Sequence, residues 1–211
     1  MNIDNQTNYW DSVAEQKTFT HPVNLNILNK YLDKDAIIVD YGCGYGRITG
    51  ELKAAGFKNI SGYDTSAKLV NRGRKDGLPI YHIESPDKLP LADISIDSFV
   101  LFTVLTCIPS NSGQADLLTL LYSKLKPGGF IYISDYYLQE NEISKSRYTY
   151  FNNDKNNYGV FVLPEGATLR HHQKEWIATL VKEFTIKEAF NIEVKTMNGN
   201  KAEAFQIMLQ K

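Results

Sequence analysis

Residues 36 to 50 read Ala36-Ile37-Ile38-Val39-Asp40-Tyr41-Gly42-Cys43-Gly44-Tyr45-Gly46-Arg47-Ile48-Thr49-Gly50. A short apolar run ends in an acid, three glycines follow at alternate positions, and a helical pattern begins. That order predicts a buried parallel strand, a tight turn and a helix N-terminus. Alternate glycines let the backbone take positive φ and come close to a ligand. The helix behind them is expected to offer free N–H groups and the positive end of its dipole to an anion. The plainer alternative is a strand-to-helix turn with no ligand. Three glycines after a strand-end acid weigh against it.

Two nucleotide classes use such a turn. A dinucleotide turn of the form G-x-G-x-x-G needs a glycine at 47, where this chain has Arg47, with Gly46 one place earlier. The acid before the first glycine also suits a cationic ligand better than a pyrophosphate. The string Val39-Asp40-Tyr41-Gly42-Cys43-Gly44-Tyr45-Gly46 resembles the first motif of the class I S-adenosylmethionine (SAM) dependent methyltransferases. The resemblance implies SAM as cofactor, a molecule with an ammonium, a carboxylate and a sulfonium but no phosphate.

The 211 residues suffice for one domain with a substantial core. A hydrophobic fraction of 43% and an aromatic fraction of 12% are those of a globular protein. The formal net charge of -1 provides no electrostatic footprint for nucleic acid or an anionic membrane, so neither partner is expected. Two cysteines, Cys43 and Cys107, predict no disulfide framework and no cysteine-based metal site, which fits a reduced cytoplasm. The polar start, residues 1–6, lacks a signal-peptide pattern, and the longest apolar stretch, residues 99–108, is too short to span a bilayer. A cytoplasmic protein is therefore expected.

Upstream of the glycine turn, Tyr9, Trp10, Val13 and Ala14 form one helical stripe, and Leu25, Leu28, Tyr31 and Leu32 a second. Thr20-His21-Pro22 separates them. The form Asn8-Tyr9-Trp10-Asp11-x-x-Ala14 is similar to the N-terminal lid of many small-molecule methyltransferases, which implies a cofactor contact for Tyr9. A helix that only covers a sheet face is the alternative reading.

Downstream, Ile48, Leu52, Ala55 and Phe57 space as a helix ended by Gly56. A second strand runs from Asn59 to Tyr63 and stops at Asp64. A carboxylate there can accept from both ribose hydroxyls, or Asp64-Thr65-Ser66 can cap the next helix. The resemblance favours the ribose, with Thr65 or Ser66 as cap. A helix over 67–75 and a short strand over 79–83 come next. The stretch from Glu84 to Asp97, with Leu89-Pro90 and Ser95-x-Asp97, resembles the family segment whose acid holds the adenine amino group. That position aligns with Ser85, with Glu84 one place before, and both are taken as cofactor candidates. Ser85-Pro86 also suits the start of a single helical turn.

Residues 99–102 form a central strand, and the resemblance sets Phe102 and Thr103 under the cofactor. Some family members have His-His where this chain has Thr106-Cys107. Ser112 is expected to cap a helix striped by Ala115, Leu117, Leu118, Leu121 and Leu125. Pro127-Gly128-Gly129 then turns the chain into a fifth strand at 131–134. Residues 136–170 break the alternation, with Tyr136, Tyr137, Tyr148, Tyr150, Phe151, Tyr158 and Phe161 around an asparagine-rich run at 152–157. They are too long for a link and too aromatic for plain disorder, so residues 136–172 read as a substrate cap. A last helix carries Trp176, Ile177, Leu180 and Val181, and two alternating runs flank Asn198-Gly199-Asn200 as a hairpin.

The expected fold is α/β and Rossmann-like. It has a seven-stranded sheet, mostly parallel with an antiparallel terminal hairpin and a reversed edge strand, and helices on both faces. The single methyltransferase domain divides into a lid (1–34), a SAM-binding core (35–135), the cap (136–172), and the last helix with the hairpin (173–211). The cofactor set is Asp40, Gly42, Cys43, Gly44, Asp64, Thr65, Glu84, Ser85, Phe102, Thr103 and Tyr9. Tyr136, Tyr137, Tyr148, Arg170 and His171 are the substrate candidates, and no metal is expected. Methyl transfer from a sulfonium needs mainly alignment and exclusion of water, plus a base where the nucleophile carries a proton. His171 is the candidate base, since imidazole titrates near neutrality. A small-molecule acceptor with an O, N or C nucleophile is expected. A nucleic-acid or protein acceptor, a SAM-binding partner or sensor, and a nicotinamide enzyme are the rivals, the last disfavoured by Arg47.

Overall fold

The apolar run before the glycines continues through the acid to form β1 (Ile37–Tyr41). Its side chains alternate between two cores. Val39 and Tyr41 join one apolar cluster, and Ile38 joins the other. In this computed structural model residues 1–150, 158–197 and 199–211 are described.

Five strands build the parallel part of the sheet: β1, β2 (Asn59–Asp64), β3 (Ile80–His82), β4 (Ile96–Phe102) and β5 (Leu125–Tyr136). Two short strands, β6 (Val160–Val162) and β7 (Thr168–Arg170), pair as a separate hairpin. The chain ends in β8 (Thr185–Lys195) and β9 (Lys201–Gln210). The seven-stranded order is β3-β2-β1-β4-β5-β9-β8. The one reversed strand is β9. It lies inside the sheet, antiparallel to both β5 and β8, and leaves β8 at the edge rather than occupying it.

Helices α2 (Leu25–Tyr31) and α3 (Arg47–Ala54) cover one face, where Leu28, Ile48 and Leu52 meet Ile38, Val100 and Tyr132. On the other face α5 (Asn111–Lys124) and α7 (Lys174–Leu180) press Leu117, Leu121 and Ile177 onto Phe99, Leu101 and Ile133. Two further helices lie toward the β3 side, α1 (Thr7–Val13) and α4 (Ala67–Lys75), and they touch each other. The last element is α6 (Glu142–Tyr150), in the excursion after β5.

Two local expectations shift. Ser110, not Ser112, caps α5, its Oγ accepting from Gly113 N at 3.0 Å, because the helix begins at Asn111. Ser85-Pro86 starts no helical turn: Lys88 N–H donates to Ser85 O in a tight turn. Phe151 and the asparagine-rich run at 152–157 lie outside the described residues.

A strand crossover from β1 to β2 on one side and β4 on the other puts a crevice at the C-terminal ends of the parallel strands, where ligands bind in open α/β sheets. Among the described residues no helix is long and apolar enough to cross a membrane.

Candidate active site

A cavity of about 770 Å³ opens along those strand ends, within the usual range of ligand pockets, roughly 300–1,000 Å³. At one end it meets the glycine turn. Gly42, Gly44 and Gly46 have φ of 68°, 57° and 79°. A Cβ on Gly44 would lie 2.2 Å from Phe19 Cε2, so only glycine lets the lid ring rest on the turn. The amides of this turn point inward. Gly42 and Cys43 N–H donate to Tyr63 O, and Gly44 N–H to Asp64 Oδ2 at 2.7 Å. The first turn of α3 is engaged too, since Thr49 N–H and Oγ1–H both donate to Asp40 Oδ2, at 3.0 and 2.8 Å. Several of the N–H groups expected to be free for an anion are thus already bonded within the protein. A pyrophosphate would find few donors here.

Two carboxylates face the same end. Asp40 is 2% exposed, and burial pushes its carboxyl up to about 7 despite the Thr49 bonds and the Arg47 charge. Its Oδ1 makes no hydrogen bond among the described residues, and Asp40 lines the cavity. Asp64 closes β2, with Oδ2 on Gly44 N–H and Oδ1 accepting from Ser66 N–H at 2.7 Å. Burial raises its carboxyl as well. Each Asp64 oxygen keeps a further lone pair for a ligand hydroxyl. Thr103 ends β4 in the left-handed region, φ 56°, uncommon for a threonine and held by its N–H on Ser134 O at 2.8 Å. Two acids, a glycine-only cradle and no uncommitted arginine or lysine at the turn fit a ligand that is cationic at one end and rich in hydroxyls. SAM has that chemistry.

Of the expected cofactor residues, Asp40, Gly42, Cys43, Gly44, Asp64, Thr65, Phe102 and Thr103 line the cavity. Three do not. Tyr9 packs on Val13 and Ala167, and the next residue round α1, Trp10, faces the cavity instead. Glu84 is exposed, and Ser85 Oγ turns back to Asp87 at 2.6 Å. Their neighbours Ile83 and Pro86 form the wall at that place.

The far end lies over β5. Tyr136 and His171 line it, but Tyr137, Tyr148 and Arg170 do not. Tyr137 points to the opposite face of β5 and packs on Phe205, ring centroids 4.6 Å apart. Arg170 is 2% exposed, donates to Pro109 O and Asn111 Oδ1, and lies over Trp176, so no ligand in the cavity reaches its charge. Tyr148 is buried behind His171, with its hydroxyl 2.6 Å from Nδ1. That hydroxyl also accepts Gln139 N–H, and which of the two donates in its bond to Nδ1 depends on the tautomer of His171. Burial lowers this imidazole to about 3. The ring is neutral at ordinary pH, and it lines the cavity beside Tyr136.

The second histidine of the pair, His172, is fully buried. Its Nε2 is 2.9 Å from Gln114 Nε2, whose amide oxygen accepts Trp176 Nε1–H at 2.6 Å. Nearby, Asp135 accepts from Thr106 N–H and hydroxyl and from Tyr136 N–H, and burial lifts it to about 6. This network locks the excursion to α5 and α7.

Several cavity-lining residues escape a reading of the sequence. His21, which the sequence places in a separator between helices, is 2% exposed, lines the cavity and lies against Tyr136, ring centroids 4.9 Å apart and tilted by 34°. Arg47 holds it, donating through Nη2 to His21 O while Nη1 pairs with Glu51. Gln6 bridges the N-terminal strap to Cys107 O, Thr168 O and Thr168 N. The signal for His21 was its place just after the lid pattern; nothing local marked Gln6. Among the described residues no group of three or more His, Cys, Asp or Glu side chains could hold a metal ion.

Residues 39–133 match a family model described as a methyltransferase domain. That match, together with the fold, marks the segment from β1 into β5 as a methyltransferase domain of the class I SAM-dependent type. It is a SAM-dependent enzyme. No curated protein shows a significant match to it. Among solved structures, a SAM-dependent methyltransferase from Methanosarcina mazei is similar at TM-score 0.80 and 24% identity, over 88% of this chain and 96% of that one. The Burkholderia thailandensis 1,6-didemethyltoxoflavin-N1-methyltransferase, with that compound and S-adenosylhomocysteine (SAH) bound, is similar at TM-score 0.64 and 15% identity, over 88% and 75%. The cyclase SpnF is similar at TM-score 0.65 and 14% identity, over 97% and 92%. These likenesses establish the fold of the methyltransferase; its acceptor must be read from the cavity.

Proposed function

We propose that this methyltransferase moves a methyl group to an O, N or C nucleophile of a small molecule by in-line displacement. The observation that carries the reading is the covering of the cavity. The strap at residues 3–6, the lid ring Phe19, α6 and the turn after β8 all contribute to its lining. That cover suits a small acceptor better than a folded protein or a duplex, and a net charge of -1 argues the same way. The Burkholderia neighbour, whose name specifies a small acceptor, supports the reading by analogy alone.

SAM, when bound, supplies a methyl group already activated by the sulfonium charge. Asp40 Oδ1 would face its ammonium, Asp64 its ribose hydroxyls, and Ile83 and Pro86 its adenine. Cys43, Gly42, Gly44, Thr65, Phe102 and Thr103 would line its path. Both thiols, Cys43 and Cys107, are pushed up by burial, so they stay protonated and shape the site without attacking. The division into lid (1–34), core (35–135), cap (136–172) and terminal helix with hairpin (173–211) belongs to the same reading.

Calorimetry tests the cofactor half: SAM and SAH bind, and NAD and NADP do not. A SAM analogue with a transferable tag tests the acceptor half against a cell extract. Label in the small-molecule fraction is expected; label in protein or RNA alone would overturn it.

A further inference from the structure

The excursion after β5 brings an unpaired cation to the cavity. On α6, Ile143, Ser144 and Arg147 stand at helical spacing on one face, and all three line the cavity. The next residue, Tyr148, turns inward and is buried against His171. Arg147 stays exposed and makes no hydrogen bond or ion pair among the described residues.

The other lysines and arginines of the lining are engaged. Lys17 pairs with Glu165 at 3.5 Å, Arg47 with Glu51 at 2.6 Å and Lys201 with Glu193 at 2.8 Å. His171 is held neutral by burial first, and the nearby Arg147 charge adds to that effect. Glu142 also lines the cavity, but it starts α6 five residues earlier, about 7.5 Å along the axis. The lining is therefore acidic at the cofactor end, with Asp40 and Asp64, and carries a free guanidinium at the other end.

Next to that charge the wall is apolar and flat. The Tyr136 and His171 rings have centroids 5.2 Å apart and tilt by 39°, and Phe161 meets His171 edge-on at 4.9 Å. Rings of this kind offer a flat molecule contact area with little loss of side-chain freedom. Ile143 and Met197, 69% and 37% exposed, line the same cavity and leave apolar surface open for a ligand to cover.

Resting on the function proposed above, we propose that Arg147 selects the acceptor, which is a planar aromatic carboxylate. Its ring lies on the wall of Tyr136, His171 and Phe161, and its carboxylate pairs with the Arg147 guanidinium. The planar fork of a guanidinium matches the two oxygens of a carboxylate. A more highly charged phosphate would call for more than this single free cation. With the anion held on α6, away from Asp40 and Asp64, an atom of the ring system other than the carboxylate faces the cofactor end.

The test uses SAH-loaded protein with naphthoate and naphthamide as probes, which share a ring system and differ in charge. Wild type is expected to bind naphthoate roughly fivefold tighter, the scale of a solvent-accessible ion pair. That preference should shrink as ionic strength rises from about 0.1 to 1 M. Arg147→Gln should bring the ratio near one while leaving naphthamide and SAH affinity unchanged, a split that a merely structural role would not give. Arg147→Lys should keep part of the preference. A preference that survives in Arg147→Gln, its absence in wild type, or no binding of either probe overturns the proposal. Failure of SAH itself to bind would sink the cofactor reading instead.

Discussion

Replacing Asp40 by asparagine is expected to stabilise the ligand-free protein and to weaken its hold on the cofactor. The carboxyl lies 2% exposed, with Oδ2 on Thr49 and Oδ1 unbonded among the described residues. Burial raises it from 3.8 to about 7. At about 1.4 kcal/mol per pKa unit, ionising Asp40 in the folded protein costs about 4 kcal/mol more than in the unfolded chain. The folded state holds the proton more tightly, so stability falls as pH rises from about 4 to 7 and stays low above that. Asparagine keeps an oxygen for Thr49 and cannot ionise. Urea unfolding should therefore show the variant about 1–4 kcal/mol more stable than wild type at pH 8, with the gap closing toward pH 5. Asp64 and Asp135 are raised in the same direction and cancel in the difference. A bound ammonium favours the carboxylate, so SAH affinity of wild type should rise roughly five- to tenfold between pH 6 and 7.5, before the ligand's own amine begins to lose its proton. In the variant that rise disappears. A variant no more stable at pH 8 than at pH 5 relative to wild type, or identical pH curves for SAH, would refute the reasoning.

Two further substitutions probe the same end. Asp64→Ala should weaken SAH binding by about 1.5–3 kcal/mol, the worth of a charge-assisted hydrogen bond; unchanged affinity by calorimetry would remove Asp64 from the ribose. Gly44→Ala forces a side chain into φ 57° and against Phe19, so a loss of about 1–3 kcal/mol and faster proteolysis within residues 14–20 are expected. Unaltered cleavage would mean the lid ring yields without cost.

The cofactor end was legible because its signals are local. An apolar run, an acid and spaced glycines specify a strand and a turn whatever surrounds them, and Asp64 follows from where the next strand must stop. The acceptor end was legible only in outline. His21 comes to matter through Ser134, 113 residues away in sequence, and no periodicity links them. Arg170 reads as a charge for a substrate, but folding places it over Trp176 with Pro109 and Asn111. The resemblance points to Glu84 and Ser85, but a tight turn rotates them away and brings Ile83 and Pro86 to the wall. Tyr136 and Tyr137 show the limit most simply: neighbours on a strand point to opposite faces, and only the register of β5 against β9 decides which one looks into the cavity.

The N-terminal strap has a kinetic consequence. Asn2 N–H reaches Asp116, Asp4 takes the Ser110 amide and hydroxyl, Gln6 bridges to Cys107 and Thr168, and Asp11 takes Ser66 Oγ–H and Lys68 N–H. Those bonds reach α5, the loop after β4, β7 and the start of α4. The same segment lines the cavity, so opening this clasp would widen the way out for spent cofactor. Were that opening slower than the chemistry, the first turnover would run ahead of the steady state as a burst whose height counts the sites.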